Sequence, residues 1–113
     1  MYTVTLKETF SAHHSLEKLR PEPHPHDWVI HITLASETLA DPGIVVNYFV
    51  LQPVVHQALP HGKNLNDCFD FAPTAENLAK HFYDTLKSQF PQLVSVSVGE
   101  FEAFMCTYQP TNN

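Results

Sequence analysis

Hydrophobic and polar residues change their period along this chain, and the changes divide it into elements. Tyr2 to His14 (YTVTLKETFSAHH) alternates, with Val4, Leu6, Phe10, Ala12 and His14 on one parity, the period-two mark of a strand with one buried face. A polar, proline-rich stretch from Ser15 to Pro25 predicts a loop. His26 to Ser36 (HDWVIHITLAS), rich in β-branched and aromatic residues, predicts a second strand. Asp41, Pro42 and Gly43 mark a turn that leads back toward the sheet. Asn47 stands as N-cap of a short helix ending near Leu59, with Phe49, Val50 and Leu51 opening its apolar stripe and Pro53 in about its first turn. After a long loop, Leu78, Phe82 and Leu86 recur at helical spacing behind Thr74, a second cap. Leu93 to Phe101 alternates valine with serine, and a turn near Glu102 and Ala103 returns the chain as FMCTYQ.

The order ββααββ predicts an α+β fold: an antiparallel sheet with two helices on one face, as a single domain over residues 1–113. Such a sheet has two open edges, which closure of several subunits into a barrel would remove. A homo-oligomer is therefore expected.

Charge and composition exclude some function classes. The net charge of -6, with six scattered basic residues, disfavours a nucleic-acid partner. The chain has no basic segment leading into an apolar one, and no run near the roughly 18 apolar residues that span a bilayer. A cytoplasmic protein without a membrane partner is expected. Cys68 and Cys106, far apart, suggest neither a disulfide framework nor a cysteine metal site. Histidine is the unusual entry, with eight residues, five of them within the first 31.

Residues two apart on a strand point the same way, so His24 and His26 in HPH can present two imidazoles to one ion. His14 ends the neighbouring strand on the Phe10 and Ala12 face and can supply a third. Three neutral imidazoles at about 2.0–2.1 Å leave a fourth tetrahedral position open, the arrangement of catalytic rather than structural zinc. A double-stranded β-helix metal enzyme also uses the HxH pattern, but two consecutive helices argue against it.

These residues resemble the 6-pyruvoyl-tetrahydropterin synthase family and its bacterial branch, the 6-carboxy-tetrahydropterin synthases of queuosine biosynthesis. FSAHHSL, from Phe10 to Leu16, is similar to F-S-A-x-H-x-L, whose last histidine binds zinc, so His14 rather than His13 is the implied ligand. HPHDW, from His24, resembles H-G-H-x-Y, which carries the other two. IVVNYFVLQ is similar to V-x-D-F-x-x-L-K, PTAENLA from Pro73 to P-T-x-E-N-x-A, and VGEFEAFMCTY to the family's final hairpin. The resemblance implies the T-fold, trimers or hexamers closing a barrel, and pterin sites between subunits. It further implies zinc at His14, His24 and His26, with Glu100 binding the pterin's pyrimidine edge and Thr74 beside the substrate. A carboxylate suits that task because it accepts two N–H bonds from a guanidine-like ring face. The implied activity is a zinc-dependent lyase reaction on 7,8-dihydroneopterin triphosphate.

The sequence also departs from the family pattern. The family's proton-shuttling cysteine precedes H-G-H, and the corresponding EKLRPEP has none; some relatives place a glutamate there, a part Glu22 or Glu17 could take. In the family's L-D-H-x-x-L, the Asp of an Asp-His pair is lost here, which leaves His61 as the acid/base candidate without its orienting carboxylate. Pro25 replaces the glycine between the zinc histidines, and Asn47 replaces an aspartate. His13, His31, His56 and His81 match no family role and read as surface or packing residues. These departures keep a second reading open: a zinc- and pterin-binding relative with lost or altered turnover.

Overall fold

The computed structural model describes residues 1–111. Its elements in chain order are β1 (Tyr2–Leu16), β2 (Arg20–Ser36), α1 (Tyr48–Ala58), α2 (Leu65–Cys68), α3 (Ala75–Lys87), β3 (Leu93–Phe101) and β4 (Phe104–Tyr108). The strands form one antiparallel sheet in the order β1-β2-β3-β4. One face carries the core, in which Phe10, Trp28, Ile30, Ile32, Val96 and Val98 meet Leu51 and Val55 of α1 and Leu78, Phe82 and Leu86 of α3. No helix among the described residues is long and apolar enough to cross a membrane.

The proline-rich segment differs from its sequence reading. Only residues 17–19 turn, and Arg20 to Pro25 continues β2 against β1. Pro21, Pro23 and Pro25 share a parity, so their missing N–H groups fall on one edge of the strand. Pairing of β2 with β3 begins only at Val29, so β3 does not claim that edge. The proline run is thus compatible with a strand that is paired on one side only.

Helix α1 differs in its apolar face. Asn47 caps it, its side chain accepting the Phe49 N–H at 3.0 Å. Leu51 and Val55 are buried, whereas Phe49 and Val50 face solvent, Phe49 with 78% of its surface exposed. The stripe therefore begins at Leu51. Pro53 is the sixth helical residue rather than part of the first turn; it is exposed, so the carbonyl deprived of its N–H can turn to water.

The open edge of β1 is covered beside the histidines. Gly62, at φ 78°, donates its N–H to the Ser11 carbonyl (2.6 Å), and the His13 N–H donates to the Lys63 carbonyl (2.9 Å). The Ser15 N–H donates to Asn66 Oδ1, and Asn66 Nδ2 donates back to the Ser15 carbonyl. The β1 backbone is thereby held on both sides where His14 stands.

Phe82→Ala should cost about 3–5 kcal/mol in urea unfolding, the usual cost of emptying a large core site. Phe49→Ala should stay within about 0.5 kcal/mol. Equal losses would show that the outer face of α1 is packed as tightly as the core.

Candidate metal centre and adjoining cleft

The β1–β2 register assembles the site. His14 lies directly opposite His24 and Ala12 opposite His26, so the three histidines share the core-facing side of one hairpin. Their ligand-type nitrogens lie within 4.8 Å of one another. Imidazole ring centroids are 4.5, 5.1 and 4.9 Å apart, each pair steeply inclined, as rings converging on one point must be. His13, on the opposite parity, takes no part.

Two of the three rings are oriented from behind. His14 Nδ1–H donates to the Pro73 carbonyl at 2.8 Å, and His24 Nδ1–H donates to the Glu22 carbonyl at 2.9 Å. With the proton on Nδ1, the lone pair sits on Nε2, the tautomer a metal ligand needs. Beneath them Trp28 packs edge-on to His14 (4.8 Å) and His26 (5.5 Å), stacks on Phe10 and donates its indole N–H to the Ala12 carbonyl.

Burial pushes the His14 imidazole below its ordinary value of 6.5, against the opposing pulls of the Pro73 hydrogen bond and the Glu100 carboxylate. His26 is lowered by the same cause, again opposed by Glu100. Both rings are therefore neutral near pH 7, ready to ligate. His14 Nε2 and His26 Nε2 are buried without a hydrogen-bond partner. Orphaned nitrogens of this kind, converging with the His14 tautomer already set, fit a metal ion with nitrogen preference.

The PTAEN segment supplies the carbonyl behind His14. Thr74 caps α3 by accepting the Asn77 N–H at 3.1 Å and donates its own N–H to the Ala72 carbonyl; Asn77 Nδ2 donates to the same carbonyl. These bonds fold Ala72–Pro73–Thr74 into a tight bend that aims the Pro73 carbonyl at the imidazole. Thr74 is thus a cap as well as a lining residue of the neighbouring cleft.

That cleft holds about 380 Å³, within the roughly 300–1,000 Å³ of small-ligand sites. Leu16, Leu19, Thr74, Glu76, Glu100 and Phe104 line it. Glu100 follows Val96 and Val98 on the core face of β3 and joins cleft to histidines, with its carboxylate 3.4 Å from His14 Nε2 and 3.3 Å from His26 Nε2. Gly99 is required beside it, since a methyl there would collide with the Phe104 carbonyl oxygen and Met105 Sδ where β4 closes on a shifted register.

Of the two acid/base candidates, His61 is the one that stands apart from this cluster. Glu22 is exposed, lines a hollow with Arg20 and His24, and accepts the His24 Nδ1–H through its backbone carbonyl. His61 is exposed at the β1 edge, where its Nδ1 accepts the Ser11 N–H at 3.3 Å. Ser11 is three residues from His14, roughly 10 Å along a strand. Glu76, which the sequence reading passed over, lines the cleft with Glu100; its place in P-T-x-E-N was the available signal.

The sheet, helices and hairpin histidines together define a T-fold protein with a preformed three-imidazole site. The family model described as 6-pyruvoyl tetrahydropterin synthase matches residues 3–111. The 6-carboxy-5,6,7,8-tetrahydropterin synthase of Bacillus subtilis (strain 168) is 35% identical over 100 residues, covering 77% of this chain and 68% of that protein. Its namesake in Aquifex aeolicus (strain VF5) is 26% identical over 93 residues, covering 61% of this chain and 57% of that protein. The solved structure of Caenorhabditis elegans 6-pyruvoyl tetrahydropterin synthase superposes with a TM-score of 0.81 at 26% identity over 98% of each chain. This chain belongs to the 6-pyruvoyl tetrahydropterin synthase family.

Two outcomes are expected. Because His14 and His26 titrate lower when folded, the unfolded chain takes up protons first as pH falls through 6.5. The urea midpoint of the metal-free protein should therefore drop on acidification below that value, and should drop less in His14→Gln; identical pH profiles would contradict the burial of this imidazole. Asn77→Ala should loosen the Pro73 bend and weaken metal binding about 10-fold, the lower end for partners that orient a ligand. Chelator competition measures it, and unchanged affinity would remove the bend from the site.

Proposed function

We propose that the chain is a zinc-dependent pterin lyase of the 6-pyruvoyl/6-carboxy-tetrahydropterin synthase type, acting on 7,8-dihydroneopterin triphosphate in pterin or queuosine biosynthesis. One observation carries the reading: three imidazoles, two of them with preset Nε2 lone pairs, converge beside a small-ligand cleft lined by two carboxylates. His14, His24 and His26 would hold zinc, whose chemistry is that of a Lewis acid lowering the pKa of side-chain hydroxyls. Glu100 and Glu76 would accept the N–H groups of the pterin's guanidine-like edge, and Thr74 would border the ring. Leu16, Leu19 and Phe104 would exclude water from its faces. The family membership and the Bacillus relative support a pterin substrate. The proposal further includes a single domain over residues 1–113 and a homo-oligomer that covers the open sheet edges.

A second reading, pterin binding with altered turnover, draws on the geometry of His61. Its Nδ1 accepts a backbone N–H, so the neutral ring carries its proton on Nε2. An Asp partner would impose the reverse. With Nδ1 engaged and Nε2 protonated, the group nearest in kind to the family's base presents no free lone pair in this arrangement.

Incubation of zinc-loaded protein with dihydroneopterin triphosphate, following triphosphate release and new pterins, decides between them. The lyase reading expects both products. Silence together with measurable pterin binding would sink it in favour of the second. Zinc content should fall sharply in His14→Ala and His24→Ala and stay unchanged in His13→Ala; equal loss in all three would refute the ligand assignment.

A further inference from the structure

We infer that Glu100 is itself the fourth ligand of the ion held by His14, His24 and His26, and that it leaves the ion when a guanidine-like ring edge enters the cleft. The inference rests on the metal reading above and adds a ligand and an exchange to it.

Bonds of about 2.0–2.1 Å to a tetrahedral ion place any two ligand atoms roughly 3.3–3.4 Å apart. One Glu100 oxygen, Oε1, stands 3.4 Å from His14 Nε2, and the other, Oε2, stands 3.3 Å from His26 Nε2, so each oxygen keeps ligand spacing to one imidazole. Neither contact is a hydrogen bond, since both nitrogens lack a partner. The His14 proton is committed to Pro73 through Nδ1, so the His14 Nε2 lone pair faces a carboxylate oxygen. Two electron-rich atoms held at that distance, one of them buried, repel unless a cation lies between them. Glu76, the other carboxylate of the cleft, makes no such approach among the described residues.

Glu100 is also placed to change partners. Its side chain is 32% exposed and lines the cleft while touching the histidines, so it can be reached from both sides. On exchange the carboxylate–metal bond breaks, a water or a substrate hydroxyl takes the vacated position, and the carboxylate accepts two ring N–H bonds. The pterin that needs Glu100 would thereby open the coordination site that its own side chain requires.

The test uses protein loaded with Co²⁺, whose visible absorption reports its ligands. Wild type and Glu100→Ala should both bind one ion, with distinct spectra and an affinity at least about 10-fold weaker in the variant by chelator competition. Unsubstituted pterin, which has no side-chain hydroxyls to touch the ion, should shift the wild-type spectrum toward that of Glu100→Ala and leave the variant's unchanged. Bound cobalt with matching spectra and affinities in the two proteins would overturn the Glu100 ligand and leave the three histidines standing. Failure of wild type to take up cobalt would overturn the metal reading and this inference together.

Discussion

The register between β1 and β2 is the constraint on which the site depends. Side chains alternate across a strand, so a slip of one residue would send one histidine of the His14–His24 pair to the opposite face. Two devices pin that register. Phe10 and Trp28 are directly opposed and their rings stack within 8° of parallel at 6.0 Å, both buried. Trp28 then reaches across to the Ala12 carbonyl, one pleat from His14. A single aromatic residue thus forms the floor under the imidazoles and locks the strand pairing that brings them together.

Electrostatics completes what pairing begins. Burial disfavours the charged form of an imidazole, and at this site that works for function, because a protonated ring cannot ligate. The backbone carbonyls of Pro73 and Glu22 add direction without adding full charge. They come from the entry to α3 and from the proline-rich part of β2, two segments far apart in sequence. Among the described residues, the carboxylate in contact with His14 and His26 is that of Glu100, placed where a cation would balance it.

Much of this was legible in the sequence, for identifiable reasons. Alternation selected His14 over His13 because burial of one strand face is a period-two property. Helix α3 was legible because Leu78, Phe82 and Leu86 all face the core. The proline-rich part of β2 was not, since composition signals a loop and only the absence of a partner on one edge makes proline harmless there. Phe49 and Val50 misled for a related reason: an apolar residue is no evidence of its own burial, and α1 turns only Leu51 and Val55 inward. The contributions of the Glu22 and Pro73 carbonyls were illegible because any residue supplies a carbonyl, so no side-chain pattern marks it.

The bend at Pro73 ties the metal centre to the stability of a helix end. First turns fray more readily than helix interiors, because their N–H groups depend on caps. Each opening of the Thr74–Asn77 cap would release the carbonyl that holds the His14 ring, letting the ring rotate away from its neighbours. Linkage is reciprocal, so an ion bound by His14 would in turn slow that opening. Solvent exchange of the amide protons at the start of α3 would then act as a clock for metal escape, although that helix supplies none of the three histidines.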